Sequence, residues 1–224
     1  MPQEFHAVLW DMDGTIIDST ECHFSTWMQV MERHGYTLER PLFDANFGRN
    51  SRTVIPIFLG FEPEPDFLDQ LMEEKAVLFR KAAPVEATLI PGVESWLNAA
   101  HVIGLRQAVA SSGPLENIVT MVRAFHLSGY FDDLVSGAAL PAKPEPDIFL
   151  KAAERLGVPP EQCLVVEDVL PGVKAAKQAG MTCIAVTTTK PREKLRLADF
   201  VVDNFTQPFD EALDALSTSF RSHL

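Results

Sequence analysis

The chain has 224 residues, 46% of them hydrophobic and 22% charged, which suits one sizeable core or a core carrying a smaller second unit. That composition excludes disordered, fibrous and disulfide-stapled classes. Thirty-one Asp and Glu against nineteen Lys and Arg give a formal charge of -12, so neither nucleic acid nor a membrane surface is expected as a partner. The same negative field repels phosphorylated ligands, and a phosphate site here must bring its own cations.

In chain order, the opening stretch MPQEFHAVLWDMDG is apolar for only a few residues before it meets acids, and is expected to be neither a signal peptide nor a membrane span. Its run FHAVLW (5–10) reads as a buried strand. Residues 16–86 show no strand pattern, only helical ones such as FSTWMQVMERHG and FLDQLMEEKAVLFRKAA, with Pro41, Pro56, Pro63, Pro65 and Pro84 expected to separate short helices. Further on, apolar runs at 106–111, 163–168, 182–187 and 199–203 read as parallel strands. Between them, PDIFLKAAERLG and PGVKAAKQAG are amphipathic stretches opened by Pro and closed by Gly. The pattern predicts an α/β fold, a doubly wound parallel sheet formed by residues 1–15 and 87–224, interrupted by an all-helical insert at 16–86. Cys22, Cys163 and Cys183 show no CxxC spacing and fit a reduced, cytoplasmic setting.

Open α/β sheets bind ligands beyond the carboxyl ends of their strands. The first strand ends in Asp11-Met12-Asp13-Gly14-Thr15, where one carboxylate could attack phosphorus and a second move a proton. A turn in which Asp and Gly serve only backbone groups is the other reading. Ser111-Ser112-Gly113-Pro114 offers a hydroxyl and free N–H groups to an anion, or is an ordinary helix cap. Lys143, held before Pro144, could supply the missing positive charge, or be a solvated surface lysine. Glu167 and Asp168 close a strand that should be buried, where acids are costly unless paired or metal-bound, although Asp168 could instead cap the helix near Pro171. Asp11, Asp13 and Asp168 brought together would suit Mg²⁺.

Taken in order, DxDGT, Ser111, Lys143-Pro144 and the Glu167-Asp168 pair resemble the haloacid dehalogenase-like hydrolase superfamily over nearly the whole chain. The insert resembles the helical cap of the subclass that includes β-phosphoglucomutase and many sugar-phosphate phosphatases. The resemblance implies that Asp11 accepts the phosphoryl group and that Asp13 is the general acid and base. It implies that Ser111 and Lys143 hold the transferring group, with Gly14, Thr15, Ser112 and Gly113 near the substrate. Mg²⁺ would be bound by the Asp11 and Asp168 carboxylates and the Asp13 carbonyl, with Glu167 as an accessory acid. The second acid, Asp13, disfavours the dehalogenase and phosphonate-cleaving branches. In one departure, relatives carry Ser after the acidic pair and this chain has Val169, so any hydrogen bond from that Ser is missing while metal binding is expected to be kept.

Within the insert, the resemblance marks His23 for proton transfer at the nucleophile, and a helical His with no catalytic part is the alternative. Arg49 and Arg52 follow Gly48 as in relatives that grip a distal phosphate or sugar, and Lys75 matches a cap lysine. Trp27 and the neighbouring Phe residues read as the insert's own core. Three functions follow as expectations: a phosphatase of a small phosphorylated metabolite, a phosphosugar mutase, and a non-catalytic phosphometabolite-binding module. The protein is expected to be a monomer or small homo-oligomer.

Overall fold

A computed structural model describes residues 5–221 of the chain. Residues 1–4, part of the N-terminal stretch read above, lie outside the described residues. The sheet begins with β1 (Ala7–Trp10), whose four residues are all buried because parallel neighbours flank it on both edges. Six parallel strands, β1, β4 (Arg106–Ser111), β5 (Asp133–Ser136), β6 (Cys163–Glu167), β7 (Thr182–Val186) and β8 (Phe200–Val202), lie in the order β5-β4-β1-β6-β7-β8. In register, Leu9 faces Ala108 of β4 and Val165 of β6.

Alternate side chains supply two cores, as the two-residue period of a strand requires. Val8, Trp10, Val109, Leu164 and Val166 pack against α5 (Val93–Val102), α6 (Leu115–Ala124) and α9 (Phe209–Arg221). Ala7, Leu9, Ala108 and Val165 pack on the other face against α7 (Asp147–Leu156) and α8 (Leu170–Gln178). The amide of Gln107, buried in this interior, is satisfied on both sides: it accepts from Trp10 Nε1 at 2.9 Å and donates to the Leu97 carbonyl at 3.0 Å.

The helical segment comprises α1 (Thr20–Arg33), α2 (Arg40–Asn46), α3 (Ser51–Leu59) and α4 (Pro65–Glu86). It has a core of its own, in which Trp27, Met31, Phe43, Val54, Phe58 and Leu71 take part. Three features differ from the sequence expectation. A two-residue strand, β2 (Ile17–Asp18), lies inside the segment read as strandless and pairs antiparallel with β3 (Thr88–Leu89), so both chain crossings are tied by one short ladder. Pro56 and Pro84 lie inside α3 and α4 rather than between helices, Pro84 close enough to the end of α4 to interrupt little of its hydrogen bonding. Pro41 and Pro65 do sit in first turns, where a missing N–H is harmless. The third difference is β5, an edge strand that the pattern did not announce.

Candidate active site

The carboxyl ends of β1, β4 and β6 meet under the helical segment, and the groups they carry converge. Asp11 follows β1 with its N–H bonded to the Val166 carbonyl of β6 at 3.0 Å. Lys143, only 3% exposed and therefore no surface lysine, donates to Asp11 Oδ1 and to Glu167 Oε1, each at 2.5 Å. The other Glu167 oxygen accepts from the backbone N–H groups of Asp168 and Val169 at 2.8 and 2.9 Å. Glu167 is therefore a bracket, with both oxygens engaged. Asp168 does not cap α8; the cap position is Val169, and Asp168 Oδ1 accepts from the Thr15 hydroxyl at 3.2 Å.

Among the described residues, Asp168 Oδ2 is buried with no hydrogen-bond partner, which is costly for a carboxylate oxygen. Asp11, Glu167 and Asp168 each offer an oxygen, all within 4.8 Å of one another. Were all three ionised, these carboxylates would leave two negative charges beyond the one ammonium in a buried place. Burial, reinforced by Glu167 and Asp13 and opposed by Lys143, pushes Asp11 up to about 8. Burial beside Glu167 and Asp11 pushes Asp168 well up too, while the same acids hold Lys143 protonated despite its own burial. The orphaned oxygen and the two-charge deficit fit a hard divalent cation.

The second acid of the motif is tied to the helical segment. Asp13 Oδ1 accepts from Ser19 Oγ at 2.5 Å and lies 3.0 Å from His23 Nε2, whose Nδ1 is 2.7 Å from Lys75 Nζ. A lysine that donates to Nδ1 leaves the proton of a neutral imidazole on Nε2, aimed at Asp13. Burial and Lys75 lower the His23 pKa, in keeping with that neutral form, and burial lowers Lys75 to about 8. Burial alone would raise Asp13, but His23, Ser19 and Lys75 outweigh it and hold the carboxyl at about 2. His23 also stacks on Phe79, ring centres 4.2 Å apart, which fixes its plane.

Asp11, Asp13, His23 and Lys75 line a cavity of about 60 Å³ whose remaining wall includes Phe43, Phe47, Arg49, Ser112 and Gly113. Ser111 is buried behind that wall, its hydroxyl accepting from the Gly113 N–H at 3.2 Å, and Ser136 Oγ holds the Gly113 carbonyl at 2.7 Å. Three of the residues expected near the substrate lie off this cavity. Gly14 and Thr15 do not line the cavity: Thr15 is fully buried against Asp168, and Gly14, at φ +90°, has Asp168 where a Cβ would lie. Arg52 points elsewhere, to Asp69 at 2.8 Å on the outer surface. Trp27 packs edge-on against Phe58 in the helical core, as read. Sequence reasoning assigned no part in the site to Ser19 or Asn50, and placed the Phe residues of the insert in its core alone; a helix-capping Asn at the start of SRTVI was the one visible signal among them.

Comparison with known proteins places this geometry. The haloacid dehalogenase-like hydrolase family matches residues 5–180. Hexitol phosphatase B of Escherichia coli strain K12 is 32% identical over 213 residues, covering 92% of this chain and 95% of that protein. Beta-phosphoglucomutase of Bacillus subtilis is 31% identical over 195 residues, covering 83% and 84%. The crystal structure of a beta-phosphoglucomutase from Clostridium difficile shares the fold, with a TM-score of 0.87 at 22% identity over 97% of this chain and 99% of that one.

Proposed function

Given that the chain belongs to the haloacid dehalogenase-like hydrolases and is a phosphoryl-transfer enzyme, we propose that it is a Mg²⁺-dependent phosphatase of a small sugar phosphate, working through a phosphoaspartate on Asp11. One observation carries the reading: a buried set of three carboxylates and one ammonium, two charges short of balance, at the wall of a cavity.

In this mechanism an Asp11 oxygen attacks phosphorus as the bond to the sugar oxygen breaks, with Lys143 and the Ser111 loop steadying the phosphoryl oxygens. The negative substrate beside Asp13 raises its carboxyl and supports the protonated form, which gives its proton to the leaving oxygen. Asp13 then takes a proton from the water that attacks the phosphoaspartate, releasing phosphate and restoring Asp11. Asp11, Asp168 and the Asp13 carbonyl would hold Mg²⁺, which when bound supplies positive charge against the nucleophile and phosphoryl oxygens. Residues 16–86 act as a cap that excludes water, with Arg49, His23 and Lys75 facing the sugar. Three buried, unpaired cysteines support a reduced, cytoplasmic setting; among the described residues no helix is long and apolar enough to cross a membrane.

Likeness to a beta-phosphoglucomutase favours a second reading, in which the phosphoryl group returns to a bisphosphorylated sugar. Incubation with β-glucose 1-phosphate and a trace of bisphosphate separates them: free phosphate means phosphatase, glucose 6-phosphate without free phosphate means mutase. A panel of sugar phosphates assayed with Mg²⁺ and with EDTA tests the proposal itself.

Two further results are expected. Mg²⁺ at about a hundred times its dissociation constant should stabilise the protein by about 2.7 kcal/mol in urea unfolding. Asp168→Asn should lose most of that gain, and equal gains in both proteins would remove Asp168 from the metal site. His23→Leu should raise the Asp13 pKa by deleting a donor to its ionised form, so the acid limb of the pH–rate profile for phosphoaspartate hydrolysis, where Asp13 acts as the base, moves toward neutral pH. An unmoved limb would mean that His23 does not control Asp13.

A further inference from the structure

Val169, the residue that departs from the family pattern, has no part in the chemistry above, yet it is 2% exposed and stands between the acid cluster and the helical segment. Its N–H is one of the two that hold Glu167. Its side chain lies against Gly48, where a Cβ built on the glycine would come 3.0 Å from Val169 Cγ2. Gly48 has φ +88°, so both backbone conformation and space restrict that position to glycine. The Gly48 carbonyl meanwhile accepts from Ser112 Oγ, on the loop after β4, at 3.2 Å.

Neighbouring contacts continue the seam. Lys190 Nζ donates to the Asp44 carbonyl at 2.9 Å, and Asn50 Nδ2 to the Leu140 carbonyl at 3.4 Å. All three hydrogen bonds end on backbone carbonyls, and water can replace each donor when the segments part. The contact between Val169 and Gly48 differs in kind. It is apolar, its surface returns to water on separation, and a β-branched side chain has little rotamer freedom with which to yield.

We propose that Val169 and Gly48 form a latch that biases the cap toward its shut position before substrate arrives and registers it against the Lys143–Glu167–Asp168 bracket. Val169 is thus a positioning residue, acting through Gly48 on the cap loop that also carries Arg49. The proposal rests on residues 16–86 being a cap, as read above. Serine at this position would keep the N–H bond to Glu167 and improve the cap of α8, but would lose the methyl groups that meet Gly48.

The test compares wild type with Val169→Ser by small-angle scattering without ligand, and by kinetics with p-nitrophenyl phosphate and the best substrate of the sugar-phosphate panel. Val169→Ser should have a larger radius of gyration, a melting temperature lowered by no more than about 4 °C, and a KM for the sugar phosphate raised about tenfold with kcat within about twofold, the loss of roughly two buried methyl groups. For p-nitrophenyl phosphate, which offers Arg49 no sugar, the change should be smaller. Gly48→Ala should weaken activity, and Gly48→Ala combined with Val169→Ala should recover part of it, because both carry the same backbone strain and only the second relieves the collision. Identical scattering and KM in wild type and Val169→Ser, or no recovery in the double variant, would overturn the latch. Should the wild type release no phosphate from any substrate, the catalytic reading fails, and scattering alone still decides the latch.

Discussion

Asp11→Asn should lower phosphate release by at least about a hundredfold, equivalent to about 2.7 kcal/mol of transition-state stabilisation. An amide has no anionic oxygen to attack phosphorus, and neither Asp13 nor Asp168 can substitute. Asp13 is held by Ser19 and His23, and Asp168 is packed against Thr15 and Gly14 and is not among the residues lining the cavity. Folding should not suffer. Asp11 is one of three buried acids sharing a single ammonium, and its removal reduces their repulsion while Lys143 keeps Glu167. The variant without Mg²⁺ should therefore melt no lower than wild type, which separates lost chemistry from lost structure. Phosphate release within about tenfold of wild type, in a preparation free of contaminating phosphatase, would remove Asp11 from the reaction.

Lys143→Met should damage both activity and stability. It leaves Asp11, Glu167 and Asp168 buried with no cation, and breaking a buried pair in this way costs about 3–5 kcal/mol. The cost should depend on pH in a stated direction. Asp11 and Asp168 already have folded pKa values above those of the unfolded chain, and losing the ammonium raises them further. The folded variant then binds more protons than the unfolded chain, so its stability is greatest below the ordinary carboxylate range and falls as pH rises toward 8. Urea unfolding of the variant at acidic and at mildly alkaline pH checks the sign. A stability gap from wild type that stayed constant across that range would show that packing, and not charge, is what the lysine supplies.

The strands that carry the site were legible because each is a short apolar run ending in acids, hydroxyls or a turn, and the strand-end rule brought Asp11 and Asp168 into one neighbourhood before any coordinates; the third carboxylate of the cluster is Glu167 and not Asp13, whose side chain turns to Ser19 and His23. β5 was not legible: Asp133-Leu134-Val135-Ser136 is half polar because an edge strand is covered less than its neighbours. The ladder of β2 with β3 is two residues long and joins distant parts of the chain, so no local pattern announces it. Pro84 misled because α4 packs along α1 and α6 strongly enough to run through it. Side-chain direction was the weakest inference. Spacing put Thr15 and Arg52 close to the right loops, but whether a hydroxyl faces substrate or Asp168, or a guanidinium faces a cavity or Asp69, depends on partners far away in sequence. Ser19 escaped notice for the same reason, since its role exists only once Asp13 folds back toward α1.

The most direct test of a phosphoaspartate at the end of β1 is to acid-quench the wild-type protein during turnover of a sugar phosphate with Mg²⁺ and map the modified peptide by mass spectrometry. One added phosphoryl group is expected on the peptide containing Asp11, localised to that residue and absent from Asp11→Asn. Steady turnover with no modified peptide, or with the label on another side chain, would contradict it.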